Sequence, residues 1–167
     1  YKSDALNKIT VELSKQGQVE KSLAIVRGMS YEREKCDALK DIAVELSKQG
    51  QVEELASLMQ KSLAIVRGIS DGREKSRALK YIAVELSKLG KVEESLVIVR
   101  GMSAGWYKSE ALKDIAVELR KQGQVEESAS LMQESLAIVR GMSDGWAMSS
   151  ALKDIAVELS KQGQVEK

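Results

Sequence analysis

The sequence predicts an all-α fold, an α-solenoid of stacked helix–turn–helix hairpins in alternating 33- and 40-residue units. Three observations predict it. First, the stretch ALKDIAVELSKQGQVEE at 38–54 returns along the chain, its copies beginning at Ala5, Ala38, Ala78, Ala111 and Ala151. The spacings are 33, 40, 33 and 40 residues, a period that marks a stacked array. Second, the apolar residues inside each copy recur at helical spacing. Third, glycines fall where such helices should end.

The second unit shows the logic. Leu39, Ile42, Ala43 and Leu46 stand at i, i+3, i+4 and i+7, on one face of a helix. Lys40, Asp41, Glu45 and Lys48 face outward. Gly50 closes this helix, because glycine takes the left-handed position after a C-cap at little cost. Lys48 suits the negative end of the helix dipole. A second helix starts near Gln51. In the first unit the matching helix has the apolar set Val19, Leu23, Val26 and Met29, and Gly28 is expected to close it by the same chemistry.

All 12 glycines fit this phase. Gly17, Gly50, Gly90, Gly123 and Gly163 close first helices; Gly28, Gly68, Gly101 and Gly141 close second helices. Gly72, Gly105 and Gly145 lie in the links, so no glycine is expected mid-helix. No segment alternates with period two, so no strands are expected. Helices are expected near 3–16, 18–28, 33–49, 51–68, 74–89, 91–101, 106–122, 124–141 and 146–162, with 164–167 opening a tenth. The units, roughly 3–30, 31–70, 71–103, 104–143 and an incomplete 144–167, form one repeat array over 1–167. Neither end shows a polar capping helix, which suits a segment of a longer array or ends covered by another copy.

Composition narrows the function. The 26 basic and 25 acidic residues leave a net charge of +1, which disfavours a nucleic-acid partner. No apolar run approaches a membrane span, and no leader is visible, so the cytoplasm is the default expectation. Cys36 is the single cysteine and stands where other units have Ser76, Ser109 and Ser149, a drifted serine rather than a nucleophile. Histidine is absent, and with it the commonest general base and metal ligand. Serines therefore have no activating partner, and neither catalysis nor a cofactor is expected.

The chain resembles the tetratricopeptide repeat family. The large-then-small pair of that family appears as Ile42-Ala43, Ile82-Ala83, Ile115-Ala116 and Ile155-Ala156, and its turn as KQGQVEE at 48–54. The small residue of the second helix appears as Ser22, Ser95 and Ser128, with Leu55 in the second unit; Leu39 stands where the family often has Trp, and the closing Pro is missing. The resemblance implies a concave wall of first helices that takes a peptide or partner helix. Its lining would be Lys40, Val44, Ser47 and Lys48, then Lys80, Val84, Ser87 and Lys88, then Lys113, Val117, Arg120 and Lys121, and finally Lys153, Val157, Ser160 and Lys161. Rows of ammonium groups beside a valine row would suit an acidic, partly apolar peptide. The alternative is that these lysines only solubilise helix faces beside Glu45 and its equivalents. Some relatives clamp a terminal carboxylate with Lys and Asn, but Asn7 is the only Asn here.

The longer units differ by one heptad in the second helix, LASLMQK at 55–61 and SASLMQE at 128–134. Seven residues add about 10 Å and turn the facing by only about 20°. Leu55, Leu58, Met59, Leu131 and Met132 then either pack on the adjoining first helices or protrude as a self-association surface. Asp41/Glu45, Asp114/Glu118 and Asp154/Glu158 are pairs at i, i+4 but supply too few oxygens for Ca²⁺, so no metal is expected. Trp106 and Trp146 are expected to cap the joints between units. The functional expectation is a non-enzymatic interaction scaffold, with a self-assembling structural protein or a consensus-like scaffold without a target as alternatives.

Overall fold

The computed structural model describes residues 2–103 and 105–165. They form nine helices and no strand. In order these are α1 (Lys2–Lys15), α2 (Val19–Arg27), α3 (Glu32–Lys48), α4 (Val52–Arg67), α5 (Gly72–Lys88), α6 (Val92–Arg100), α7 (Trp106–Lys121), α8 (Val125–Arg140) and α9 (Gly145–Val165).

The turns inside the hairpins share one hydrogen-bond pattern. After α3, Gln51 N donates to Leu46 O and Gly50 N to Ser47 O, each at 3.1 Å, with Gly50 at φ +68°. These are the paired bonds of a Schellman motif, which satisfy helix-end carbonyls only if one residue turns left-handed. The same pair follows α1 at Gly17, α5 at Gly90 and α7 at Gly123. Side-chain caps are missing where these turns deliver α2, α4, α6 and α8. The glycine turn therefore sets the start of each second helix.

Gly28 behaves differently from the expectation. It sits at the C-cap of α2 in right-handed conformation, φ −81°, and Gly68, Gly101 and Gly141 match it. These helices end without a left-handed residue, so nothing there demands glycine. Gly163 also departs: α9 continues through it to Val165 instead of closing. A left-handed turn is only permitted by glycine; packing of the next helix selects it. Residues 164 and 165 extend α9 rather than open a tenth helix, and 166–167 lie outside the described residues.

Two of the links carry a true N-cap. Asp71 Oδ1 accepts from the backbone N–H of Arg73 (2.9 Å) and Glu74 (3.0 Å) at the start of α5. Asp144 Oδ1 does the same for Trp146 and Ala147 at the start of α9. Each satisfies donors that a helix start leaves open.

The chain divides into two compact units, Tyr1–Glu85 and Leu86–Lys167. In the first, α1 packs on α2 and α3, α3 on α4, and α2 on both α3 and α4. Its core includes Leu23, Val26, Ile42, Ala43, Leu46, Leu58 and Val66, all at 0% exposure. Burying a side chain of this size contributes about 1.5–3 kcal/mol, so the apolar stripes rather than helix propensity hold the unit together. In the second, α7 packs on α6, α8 and α9, and α8 on α9, around Leu112, Ile115, Ala116, Leu119, Leu131 and Met132.

The inserted heptads do not protrude. Leu55, Leu58, Met59, Leu131 and Met132 are all buried, at 2% exposure or less. The reason is matched length: α4 has 16 residues against 17 in α3, and α8 has 16 against 16 in α7. Each lengthened second helix thus has a partner along its whole run. Lys61 of the first heptad also pairs with Glu20 on α2. These five residues are core, not a self-association surface.

Candidate functional site

First-helix side chains meet their neighbours at a repeating register. The residue two places after a unit's leading alanine reaches the residue three places after the next one. Asn7 Nδ2 on α1 donates to Asp41 Oδ2 on α3 at 2.6 Å. Lys40 Nζ on α3 lies 6.0 Å from the centre of the Tyr81 ring on α5, a cation–π contact. Lys113 Nζ on α7 lies 3.9 Å from Asp154 Oδ2 on α9. Sequence reading missed this ladder, because it assigned the lysines to ligand or solvent.

Lys113 shows how far the ladder departs from a free cationic row. Its side chain is 13% exposed and donates to Glu110 Oε2 at 2.9 Å, with Asp114 at 3.7 Å. Burial pulls its pKa down, but the Glu110 hydrogen bond and the charges of Glu110, Asp114 and Asp154 outweigh it and hold the ammonium above the ordinary lysine value. Arg120 donates to Lys161 O at 3.0 Å, and Lys121 lies 3.7 Å from Glu118. Ser87 is fully buried, with Gln122 donating to its carbonyl at 3.1 Å, so its hydroxyl does not line a surface. Lys113 and Ser87 therefore leave the set of expected ligand contacts.

The other expected lining residues stay accessible to differing degrees. Lys40, Ser47, Lys48, Lys88 and Lys153 are exposed; Val44, Lys80, Val84 and Val117 are half-buried; Val157 is 46% exposed. Val44 and Lys48 share an open groove of about 410 Å³ between α1 and α3. Val11 and Val44 give it an apolar strip. Lys8, Glu12 and Lys15 of α1 and Asp41, Glu45 and Lys48 of α3 line it, three cations and three carboxylates. In this groove the charge is mixed rather than basic.

The remaining candidates resolve individually. Cys36 is buried, its Sγ 3.7 Å from Glu74 O, and burial pushes its thiol up to about 11, far from a nucleophile's range. Trp106 is half-buried and stacks edge-on against Tyr107 with ring centres 5.1 Å apart. Trp146 is 81% exposed, so it caps no joint. Asp41, proposed above only as half of a weak cation pair, is held by Asn7. Two serines read from the sequence only as small residues of the second helix also carry hydrogen bonds. Ser22 Oγ donates to Thr10 O (2.7 Å) and Ser128 Oγ to Ala116 O (2.6 Å), pinning second helices to first.

No protein-family model matches the chain, and no curated protein matches it. The crystal structure of Ton1535 from Thermococcus onnurineus NA1 is similar in fold, with a TM-score of 0.56 at 17% identity. The match covers 90% of this chain and 47% of that one, so the chain spans about half the length of its structural neighbour.

Proposed function

We propose that the chain is a tetratricopeptide-like α-solenoid acting as a non-enzymatic interaction module, holding a peptide or partner helix on its first-helix face. The groove between α1 and α3 carries this reading: it is open, has the Val11–Val44 strip for apolar contact, and has charges of both signs along its walls. That balance suits a peptide with alternating basic and acidic residues better than a purely acidic one. Selection of displayed peptides on the intact chain tests it. Enriched peptides should bind to a Val44→Arg variant at least about tenfold more weakly. Enriched peptides that bind the variant equally well would place the contact elsewhere and sink the reading.

A second reading, association of copies, is favoured by Ile9. It is 48% exposed on α1, whereas Ile42, Ile82, Ile115 and Ile155 at the same place are at 3% or less. An Ile9→Glu variant that dissociates an oligomer would support it. A scaffold without a ligand is the third reading, met if neither experiment gives a signal.

A further inference from the structure

Inside the first unit, α3, α4 and α5 leave a cavity of about 10 Å³ between them. Leu39, Val66 and Ile82 give it apolar walls, while Cys36, Met59 and Ser62 bring two sulfurs and a hydroxyl to it. A space of that size holds one atom about as large as a water oxygen. Ser62 is at 0% exposure, and its Oγ has no hydrogen-bond partner among the described residues. A buried hydroxyl left unpaired is unfavourable, so it marks a place where a partner belongs.

The second unit supplies the comparison. Its counterparts of Cys36, Met59 and Ser62 are Ser109, Met132 and Ser135. There Ser135 Oγ donates to Ser109 O at 2.7 Å, and Ser109 Oγ donates to Trp106 O at 2.8 Å. Both hydroxyls are spent on main-chain carbonyls. In the first unit a thiol replaces one hydroxyl, and the other is left open to the cavity. Cys36 Sγ reaches Glu74 O at 3.7 Å, the weak bond of a thiol.

We propose that Cys36, Met59 and Ser62 form a site for one Cu(I) ion. The Cys36 thiolate and the Met59 thioether are its ligands, and the Ser62 hydroxyl is a third donor. A buried water needs about two to four polar partners, and one hydroxyl beside two weakly bonding sulfurs does not supply them. Thiolate and thioether instead select a soft monovalent cation. On binding, the Cys36 S–H bond breaks, its proton leaves to solvent, and the sulfur electron pair forms the S–Cu bond. Thiolate and Cu(I) together are neutral, so the cavity accepts the pair where a bare thiolate would be costly. Lys40 does not repel a neutral pair, and its own charge lies over the Tyr81 ring at 6.0 Å. The inference concerns the interior of the first unit and stands or falls apart from the α1–α3 groove.

The probe is Cu(I) supplied without oxygen as its bicinchoninate complex, whose colour fades as the intact chain withdraws the ion. One equivalent of copper should be taken up. Cys36→Ser, which installs the residue of the other units, should take up none. Met59→Leu keeps the core volume and Ser62→Ala removes an unpaired group, so both should fold, with the parent's circular dichroism. Each should bind more weakly, Met59→Leu by at least about tenfold. Cu(I) should also raise the thermal midpoint of the parent and leave that of Cys36→Ser unchanged. Copper left with bicinchoninate overturns the proposal and makes a water the occupant of the cavity. Copper taken up as tightly by Met59→Leu or Ser62→Ala also overturns it, because the thiol then acts without the site. A parent midpoint that stays or falls does the same, since the unfolded chain would then hold the ion as well as the folded one.

Discussion

Lys113 on α7 is held between Glu110 on its own helix, at 2.9 Å, and Asp154 on α9, at 3.9 Å. A residue that the repeat pattern offers as a ligand contact is thereby turned to holding one helix against the next. Lys113→Met should destabilise by about 2 kcal/mol, since it leaves Glu110, only 7% exposed, without its partner. Lys40→Met removes only an exposed cation–π contact and should cost about 0.5 kcal/mol. The sign of the pH dependence follows. The Lys113 pKa is raised in the fold, so its contribution is full below the ordinary lysine value of 10.5 and fades as pH rises through the higher folded value. Urea unfolding of both variants between neutral and strongly alkaline pH checks each part.

The glycines divide into two kinds, and substitution should tell them apart. Gly50 is at φ +68°, so Gly50→Ala should cost about 1 kcal/mol. Gly28 is right-handed, and an added Cβ would meet Ile25 O at 3.5 Å, an ordinary contact. Gly28→Ala should be neutral or stabilise by about 0.5 kcal/mol, through the loss of unfolded-state freedom. Equilibrium unfolding of the pair is the check; equal losses would mean that the two turns are not distinct.

Leu58 decides between core and protrusion. At 0% exposure, Leu58→Ala should cost about 3 kcal/mol, and Leu58→Glu should unfold the first unit. A folded, merely dissociated Leu58→Glu protein, seen by circular dichroism and sizing together, would restore the self-association surface.

Glu32 ties the start of α3 to the link before α5. Its carboxylate accepts from Ser70 N at 2.7 Å, Ser70 Oγ at 2.8 Å and Asp71 N at 2.9 Å. The hydrogen bonds from the Ser70 and Asp71 backbone, with that of the Ser70 hydroxyl, lower its pKa below the ordinary 4.5. A lowered carboxylate stabilises above its unfolded pKa and loses that stability as pH falls through the folded value. Amide exchange at Ser70 and Asp71 should therefore quicken, relative to the rest of the chain, only below about pH 4.5, and the Glu32→Gln variant should lack that acid step.

Much of this was legible in the sequence because it is local chemistry. The Leu46-to-Gly50 turn, its copies and the apolar stripes place eight of the nine helices to within two residues. Gly163 misled because glycine allows a left-handed turn without requiring one, and α9 runs on through it to Val165. The inserted heptad misled for a related reason. Whether Leu58 protrudes depends on the length of α3 beside it, which is a property of two elements rather than one. The site was the least legible part. The reach of Lys40 to Tyr81 and of Lys113 to Asp154 depends on the register between neighbouring hairpins, and a charge pattern along one helix does not carry that register.

Molar mass by light scattering behind a sizing column, across about a hundredfold range of concentration, tests the interaction-module reading most directly. With the inserted heptads in the core and a groove left open on the first helices, the mass should stay at 18.3 kDa throughout. A mass that climbs with concentration would contradict it and make association of copies, with the exposed Ile9 as first candidate contact, the function to pursue.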